Sequence, residues 1–127
     1  MNALYIGLAG ITAAMRHLAV AASNIANVDT TSTLPGSTAA YTPLSAQQMT
    51  GPGGAPTVQV TPVRQSFVPQ SDPSASFADK NGMVAAPNVD PVKELISMLE
   101  AQQSVVANTK PEQTVSEIFQ SLYGMHI

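Results

Sequence analysis

The chain contains two histidines, His17 and His126, which are the natural candidates for a metal ligand or a general base. The sequence holds no H-E-x-x-H pattern and no two histidines at ligand spacing on one helix. Two imidazoles alone make a poor zinc site, and a serine nucleophile would need a histidine base held by a third group. We therefore expect no metal site, no cofactor and no catalytic triad, and we interpret both histidines as partly exposed residues on helix faces.

The eight carboxylates are widely separated along the chain. Asp72 and Asp79 flank a loop and could face one another, as the two acids of a glycosidase do. Turn-forming hydrogen bonds explain aspartates in such a loop equally well, and no cleft-building framework surrounds them. The Gly-rich residues 51–54 include a proline and precede an extended run, which is unlike a phosphate-binding loop. These patterns predict that the chain is not an enzyme and has no small-molecule substrate.

The composition is low in charged and aromatic residues. Of 127 residues, 10% are charged and 5% are aromatic, and neither Trp nor Cys is present. The absence of Cys excludes disulfides, thiolate metal sites and thiol nucleophiles. The five Lys and Arg residues are scattered and the net charge is −3, which excludes the basic face that nucleic-acid binding requires. Because so small a chain buries little surface alone, we expect neighbouring molecules to supply part of the burial.

Residues 1–30 form the first predicted segment, an N-terminal helix with a heptad pattern. Its apolar residues recur at alternating spacings of four and three, which is typical of a helix with one continuous apolar stripe. The stripe consists of Leu4, Leu8, Ile11, Met15, Leu18, Ala22 and Ile25. The opposite face is small, with Gly7 and Gly10, and an uncharged face of this kind permits close backbone approach. We therefore expect this helix to contact partners all round.

The same segment differs from a signal peptide and from a membrane span. Nothing basic precedes Leu4, while Arg16 and His17 interrupt the apolar stretch. A signal peptide carries its positive charge before the apolar run, and a charge inside a span is costly. We expect neither. A membrane-surface protein, or a small helical interaction protein that uses this amphipathic helix, is the alternative function, although membrane-surface helices usually carry several Lys or Arg residues.

Residues 31–86 are predicted to form a loop-rich segment with short strands. Clusters of Gly and Pro mark its turns, and residues 57–61 alternate with the period of a strand. Residues 63–68 suggest a second extended run, and residues 39–44 a third. Prolines at the ends of and within these runs favour edge strands over a central sheet. The segment is interpreted as a small, irregular β/loop insertion.

Residues 87–127 are predicted to form a C-terminal helix. Asn88 or Asp90 can cap its start, and Pro91 suits the first turn. The apolar face that follows is wider and less regular than that of the first helix. It consists of Val92, Leu95, Ile96, Met98, Leu99, Val105, Val106, Val115, Ile118, Phe119, Leu122 and Met125.

Pro111 interrupts this apolar face. A proline in a helix interior costs about 3 kcal/mol, because it removes a donor and clashes with the preceding turn. Thr109 and Glu112 also fit a capping box that would start a new helix. We therefore expect the C-terminal helix to be kinked or broken near 109–111.

Together these segments predict a mainly α protein with one structural domain. Its N- and C-terminal helices are expected to pack as an antiparallel, coiled-coil-like pair, with the β/loop insertion between them. The shortage of charge on the remaining faces favours assembly with other subunits over a free-standing two-helix domain. The residues predicted to pack between subunits are Leu4, Leu8, Ile11, Met15, Leu18, Ile25, Leu95, Met98, Leu99, Val106, Ile118, Phe119 and Leu122.

Two stretches resemble signatures of the flagellar rod and hook axial proteins. The sequence ASNIANVDT, residues 22–30, is similar to the motif that ends the N-terminal helix in that family. The sequences NGMV, residues 81–84, and PNVDPVKEL, residues 87–95, are similar to the run that opens the C-terminal helix. The pairs Ala101-Gln102 and Ala107-Asn108 continue the resemblance. Length and layout are most similar to the short proximal-rod members of the family.

The chain departs from the family pattern in the C-terminal helix. Gln103 and Val105 stand where rod proteins usually have an arginine followed by an aromatic residue. Pro111 and Glu112 fall where the family has an uninterrupted apolar helix. These departures indicate a divergent paralogue or a helix that bends on assembly.

The resemblance implies a structural subunit of the bacterial flagellar basal-body rod. In that family the paired terminal helices form a helical tube that transmits torque and surrounds the export channel. The implied partners are copies of the chain, other rod proteins and the flagellar type III export machinery. The implied location is the periplasm-spanning rod, reached without a cleaved signal peptide. The junction residues Asn24, Asn27, Pro87, Asn88 and Asp90 are expected to direct the chain at the helix ends, since Asn bonds backbone groups and tolerates left-handed conformations.

Overall fold

The computed structural model describes residues 3–34 and 41–124, without the side chains of residues 3, 111, 112 and 115. Two long helices stand at the ends of this region, and four strands lie between them. The elements are α1 (Ala3–Ala26), β1 (Leu44–Thr50), a 3-10 helix (Pro52–Gly54), β2 (Pro56–Pro62), β3 (Phe67–Ser71), β4 (Met83–Pro87) and α2 (Pro91–Gly124). The two helices have 24 and 34 residues, which is nearly half of the chain. The predicted terminal helices are therefore confirmed.

Strands β1 and β2 form an antiparallel hairpin in which Leu44 lies opposite Pro62 and Thr50 opposite Pro56. The connecting turn uses positive φ angles of 71° and 79° at Gly53 and Gly54, a conformation that glycine adopts without steric cost. The predicted strand at 57–61 is confirmed as part of β2. The strand expected at 39–44 is misplaced: its first residues lie outside the described residues, and β1 begins only at Leu44.

Strands β3 and β4 form a second antiparallel pair, with Phe67 opposite Pro87 and Ser71 opposite Met83. On its other edge β4 is bridged by Ser32, whose backbone exchanges two hydrogen bonds of 2.9 Å with Ala85. Contacts on both edges bury the backbone and side chains of β4 from Val84 onward. β4 is not among the strands predicted from the sequence. Its continuous apolar run after the Asn-Gly turn was the available signal.

The start of α2 is capped by Asp90. Its Oδ1 accepts hydrogen bonds from the backbone N–H groups of Val92 (3.0 Å) and Lys93 (3.3 Å), which satisfies donors that have no partner inside the helix. Asn88, the other candidate cap, instead donates its amide to the Gln65 carbonyl at 3.0 Å. The structure therefore assigns the cap to Asp90 and uses Asn88 to hold the chain that enters the helix.

Pro111 lies within α2, which continues through it to Gly124. Of the two predicted outcomes, an end at this point is therefore not found, and a bend stays a prediction. Thr109 does not act as a cap, because its hydroxyl donates to the Val106 carbonyl at 2.8 Å. Asn108 and Thr114 likewise donate to the carbonyls of Ser104 and Lys110. Side-chain donors thus bond to the helix backbone on both sides of the proline.

The buried core is made of small residues. α1 packs against both α2 and the β1–β2 hairpin. The buried apolar residues in the described region are Ala13, Ala14, Ala21, Ala55, Val58, Val84, Ala85, Ala86 and Ala101. No Leu, Ile, Met or Phe of the described residues is among them. Alanine removes little apolar surface from water compared with Leu or Phe, so the large apolar side chains are left for other contacts.

Candidate assembly surface

The two helices meet along a line of small and polar residues, which we call the seam. At one end of the seam Gly10 lies against Asn108, where a Cβ atom on Gly10 would stand 2.6 Å from Cγ of Asn108. Gly7 is nearby, and a Cβ there would stand 3.2 Å from the Asn108 backbone oxygen. At the other end Asn24 contacts Glu94. A side chain larger than hydrogen at position 10 therefore requires the Asn108 side chain to shift.

The seam repeats with heptad spacing on both helices. On α1 its residues recur at intervals of three and four, and they are Gly7, Gly10, Ala14, His17, Ala21 and Asn24. On α2 the same intervals connect Glu94, Ser97, Ala101, Ser104 and Asn108. Cavities of about 400 and 330 Å³ flank the seam, lined in both cases by His17 and Ser97. α1 therefore carries two heptad stripes, and the contact with α2 uses the small one.

The apolar stripe of α1 lies beside the seam and remains accessible. Leu8 is 57% exposed and Met15 is 53% exposed, while Leu4, Ile11, Leu18 and Ile25 are half-buried. On α2 the predicted packing residues Leu95, Leu99 and Val106 are exposed and Met98 is half-buried. None of the residues predicted to pack between subunits is buried within the chain. Exposed apolar faces of this extent mark sites of protein–protein interaction.

The last part of α2 extends beyond α1. Asn108 already lies beside Gly7 and Gly10 near the start of α1, so the following turns of α2 run past the first helix. All side chains described at residues 113–124 are exposed, including Ile118, Phe119, Leu122 and Tyr123. We call residues 113–124 the α2 overhang. It is a helix with large apolar side chains and no covering element in the described part of the chain.

Asn24 joins three segments of the chain at the end of the seam. It is 1% exposed, and its Oδ1 accepts hydrogen bonds from the Tyr41 hydroxyl (2.8 Å) and the Leu44 N–H (3.0 Å). Its Nδ2 donates to the Leu44 carbonyl (2.8 Å) and to Oε1 of Glu94 (3.0 Å). A buried amide with both ends satisfied fixes its neighbours in one arrangement. Asn24 thus connects α1, the start of β1 and the start of α2.

Asn27 acts locally at the end of α1. Its Nδ2 donates to the Ser23 carbonyl at 2.9 Å in the last turn, and its own carbonyl accepts the Thr30 hydroxyl at 2.6 Å. This matches the expected bonding of backbone groups, whereas Asn24 bonds to distant segments instead. The expected left-handed conformation is not used, because no residue other than glycine has a positive φ in residues 3–34 and 41–124.

The described residues that were candidates for chemistry take part in helix packing and in turns. His17 lies in the seam, while His126 lies outside the described residues. Asp72 accepts hydrogen bonds from Ser74, and Asp79 accepts them from the N–H groups of Asn81 and Met83, so both aspartates form turns. Within the described ranges no group of three or more His, Cys, Asp or Glu residues could hold a metal ion.

α1 is long and apolar enough to cross a membrane when length and composition alone are considered. A core helix of a soluble protein passes the same test, so a single such helix is weak evidence for a span. In this structure α1 contacts α2, β1 and β2, and the Arg16 guanidinium donates to the Val58 carbonyl at 3.4 Å.

The two terminal helices close through a small-residue seam and keep their apolar faces outside. This arrangement is typical of a structural protein that assembles with other subunits. Comparison with known protein families identifies the family of structural proteins to which the chain is similar. Residues 4–32 match the family described as flagella basal body rod protein. Residues 80–125 match the C-terminal region described as flagellar basal body rod FlgEFG protein C-terminal. The two matches cover α1 and α2, the elements that form the seam.

Curated relatives extend the similarity over almost the whole chain. The flagellar basal-body rod protein FlgC of Salmonella typhimurium is 33% identical over 122 residues, which is 93% of this chain and 91% of the relative. FlgC of Bacillus subtilis is 27% identical over 127 residues, with 84% and 85% covered. FlgC of Aquifex aeolicus is 40% identical over 52 residues, 41% of this chain and 39% of the relative. The chain therefore belongs to the flagellar basal-body rod protein family, as a FlgC-like member.

Proposed function

We propose that this rod protein builds the proximal rod by packing the outer faces of its helix pair against neighbouring subunits. The pair acts as an antiparallel, coiled-coil-like unit, and repeated units form a tube that surrounds the export channel and transmits torque. The observation that carries the proposal is the separation of the two heptad stripes on α1. The small stripe closes the chain on itself, and the apolar stripe stays accessible for partners.

The contacts along the seam support the antiparallel arrangement. Gly10, near the start of α1, lies by Asn108, which is well along α2, and Asn24, near the end of α1, lies by Glu94 at the start of α2. Small side chains let the two backbones approach closely, which gives a thin and stiff unit. Since torque transmission requires stiffness, a rod subunit gains from close contact between its two helices.

The partners we propose are copies of the chain and other rod proteins, and the proposed location is the periplasm-spanning rod. The proposed route is the flagellar type III export apparatus, without cleavage of a signal peptide. Mass spectrometry of the subunit in purified basal bodies tests this point. A subunit that begins after residue 20 would contradict it. No catalytic, cofactor-binding or nucleic-acid-binding role forms part of the proposal.

The test is replacement of the gene in the bacterium that encodes this chain. The wild-type chain should restore basal bodies that contain it and should restore swimming. A variant with Leu8→Asp and Leu99→Asp should fold as a monomer and fail to enter basal bodies, because it places charges on both outer faces. The matched control is Val60→Asp on the β1–β2 hairpin, which is an exposed apolar residue outside both helices and should be tolerated.

Two outcomes would contradict the proposal. Rods that form normally without the chain would show that it has no structural role in them. Normal incorporation of the doubly charged variant would show that the outer faces are not needed for assembly. The alternative of a membrane-surface protein is tested with the full chain and anionic vesicles. We expect no co-sedimentation, because Arg16 is the sole Lys or Arg of α1 and membrane-surface helices rely on several.

A further inference from the structure

We propose that the α2 overhang of one copy docks in the groove between α1 and β2 of a second copy, with Glu117 of the overhang paired to Arg16 of the groove. This contact rests on the proposed function, because it specifies which surfaces join two subunits. It commits to a second copy of this chain as the occupant of the groove.

The receiving surface is a groove of about 360 Å³ that we call the α1–β2 groove. Its main lining residues are Tyr5, Leu8, Thr12, Arg16, Thr57 and Val58. Val58 and the neighbouring Ala13 are buried and form its floor, whereas Tyr5 and Leu8 are more than half exposed and form its wall. The groove is apolar at its floor and wall and has a single cationic group. The groove therefore fits apolar side chains that are accompanied by one acidic side chain.

The α2 overhang has the matching composition. Twelve residues span about 18 Å of helix, and Ile118 and Leu122 are one turn apart on one face. Phe119 and Tyr123 form a second pair one turn apart, and Tyr123 is 78% exposed. Because α2 continues as one helix from its seam with α1, the overhang leads away from its own groove. A second copy is required to bring the two surfaces together.

Charge complementarity gives the proposed contact its register. Arg16 is the only Lys, Arg, Asp or Glu residue in α1, and Glu117 is the only one in residues 113–124. The Arg16 guanidinium uses one donor for the Val58 carbonyl and has others available, since arginine carries five. Within the described part of the chain neither residue forms an ion pair. Pairing them on docking places one acid and one base inside an otherwise apolar contact.

The proposed contact joins two different surfaces. Each copy offers its overhang at one end and its groove on another face, so the interface is heterologous. Heterologous contacts repeat from copy to copy and generate rings or open helical assemblies. The same contact that joins two copies can therefore continue along a helical tube.

Charge reversal tests the pairing in the full chain. Arg16→Glu and Glu117→Arg should each weaken self-association of the purified protein at least about tenfold, as expected for loss of a desolvated charge pair. The double variant should restore association to within about threefold of the wild type. The control Arg64→Glu, an exposed residue between β2 and β3, should leave it unchanged. Sedimentation velocity measures association, and circular dichroism checks that each variant keeps its helices.

Engineered disulfides provide the second measurement, because the natural chain contains no cysteine. A chain with both Thr12→Cys and Ser121→Cys should form a ladder of oxidised oligomers, and a mixture of the two single variants should stop at dimers. A double charge variant that stays as weak as the singles, or an absence of cross-links under conditions where the wild type assembles, would overturn this docking. The proposed function would survive that result if the wild-type chain still enters basal bodies. It would fail separately if the chain does not.

Discussion

Gly10 and Asn108 lie in direct contact across the seam, where the missing side chain of one residue makes room for the amide of the other. In an isolated helix a glycine at this position costs about 1 kcal/mol relative to alanine. The helix tolerates this cost because α2 occupies the space. The contact with α2 therefore favours glycine at a position where the helix alone would favour alanine.

Gly10→Ala should lower the free energy of unfolding of the monomer by about 1 kcal/mol. Overpacking costs about 1–3 kcal/mol, and the gain in helix propensity of about 1 kcal/mol offsets part of it. Urea denaturation followed by circular dichroism measures the change. Gly124→Ala is the control, since nothing lies within 4 Å of a Cβ there, and it should be neutral or slightly stabilising. Adding Asn108→Ala should relieve the loss, and a Gly10→Ala variant as stable as the wild type would show that the seam is loose.

Asn24→Ala should be among the most destabilising single changes in the chain, lowering the free energy of unfolding by about 2–4 kcal/mol. The change leaves the Leu44 backbone groups, the Tyr41 hydroxyl and the Glu94 carboxylate without their amide partner. A buried polar group that loses its partner costs about 1–3 kcal/mol before the structure relaxes. Asn27→Ala removes one local bond and should cost about 1 kcal/mol. Equal effects of the two changes would contradict the role of Asn24 as the junction between segments.

Asp90→Ala should destabilise the monomer by about 1 kcal/mol, the usual cost of losing an N-cap. Asn88→Ala should cost less, because its amide bonds to a solvent-exposed loop carbonyl rather than to the first turn of α2. Thermal denaturation of both variants in parallel gives the comparison. The reverse order would assign the cap to Asn88.

Pro111→Ala should strengthen the second half of α2. Alanine restores the N–H that bonds to the Ala107 carbonyl, and proline in a helix interior costs about 3 kcal/mol. Amide hydrogen exchange should therefore slow near this position, while Lys110→Ala should leave it unchanged. If a bend at Pro111 is needed in the rod, the same variant should also enter basal bodies less efficiently. Unchanged exchange would mean that the helix accommodates the proline without cost.

Much of the architecture follows from local pattern. A heptad repeat over residues 4–25 requires a helix whatever its partner, and the alternation at 57–61 requires a strand, because both periods come from backbone geometry. Asp90 followed by Pro91 similarly predicts the start of α2 from groups within one turn. The family resemblance rests on two such local stretches, one at each end of the chain.

The strands that local pattern missed are stabilised by pairing with other segments of the chain. β1 contains the polar pair Gln47 and Gln48 and shows no alternation, yet it forms because every residue pairs with β2. β4 is a short Val-Ala-Ala run that becomes a strand between β3 and Ser32. In both cases the hydrogen bonds that define the strand come from another segment of the chain and not from residues within the strand.

By itself, the sequence determined that the chain has two terminal helices and that α1 carries an apolar stripe and a face of small residues. Only the tertiary structure decided which stripe joins the helices. Helical periodicity places residues on faces but does not select the partner of each face. That selection depends on volume and on polar partners: on the small face Gly10 makes room for Asn108, and the buried Asn24 bonds to Glu94. The apolar stripe is left outside, where the proposed assembly would use it.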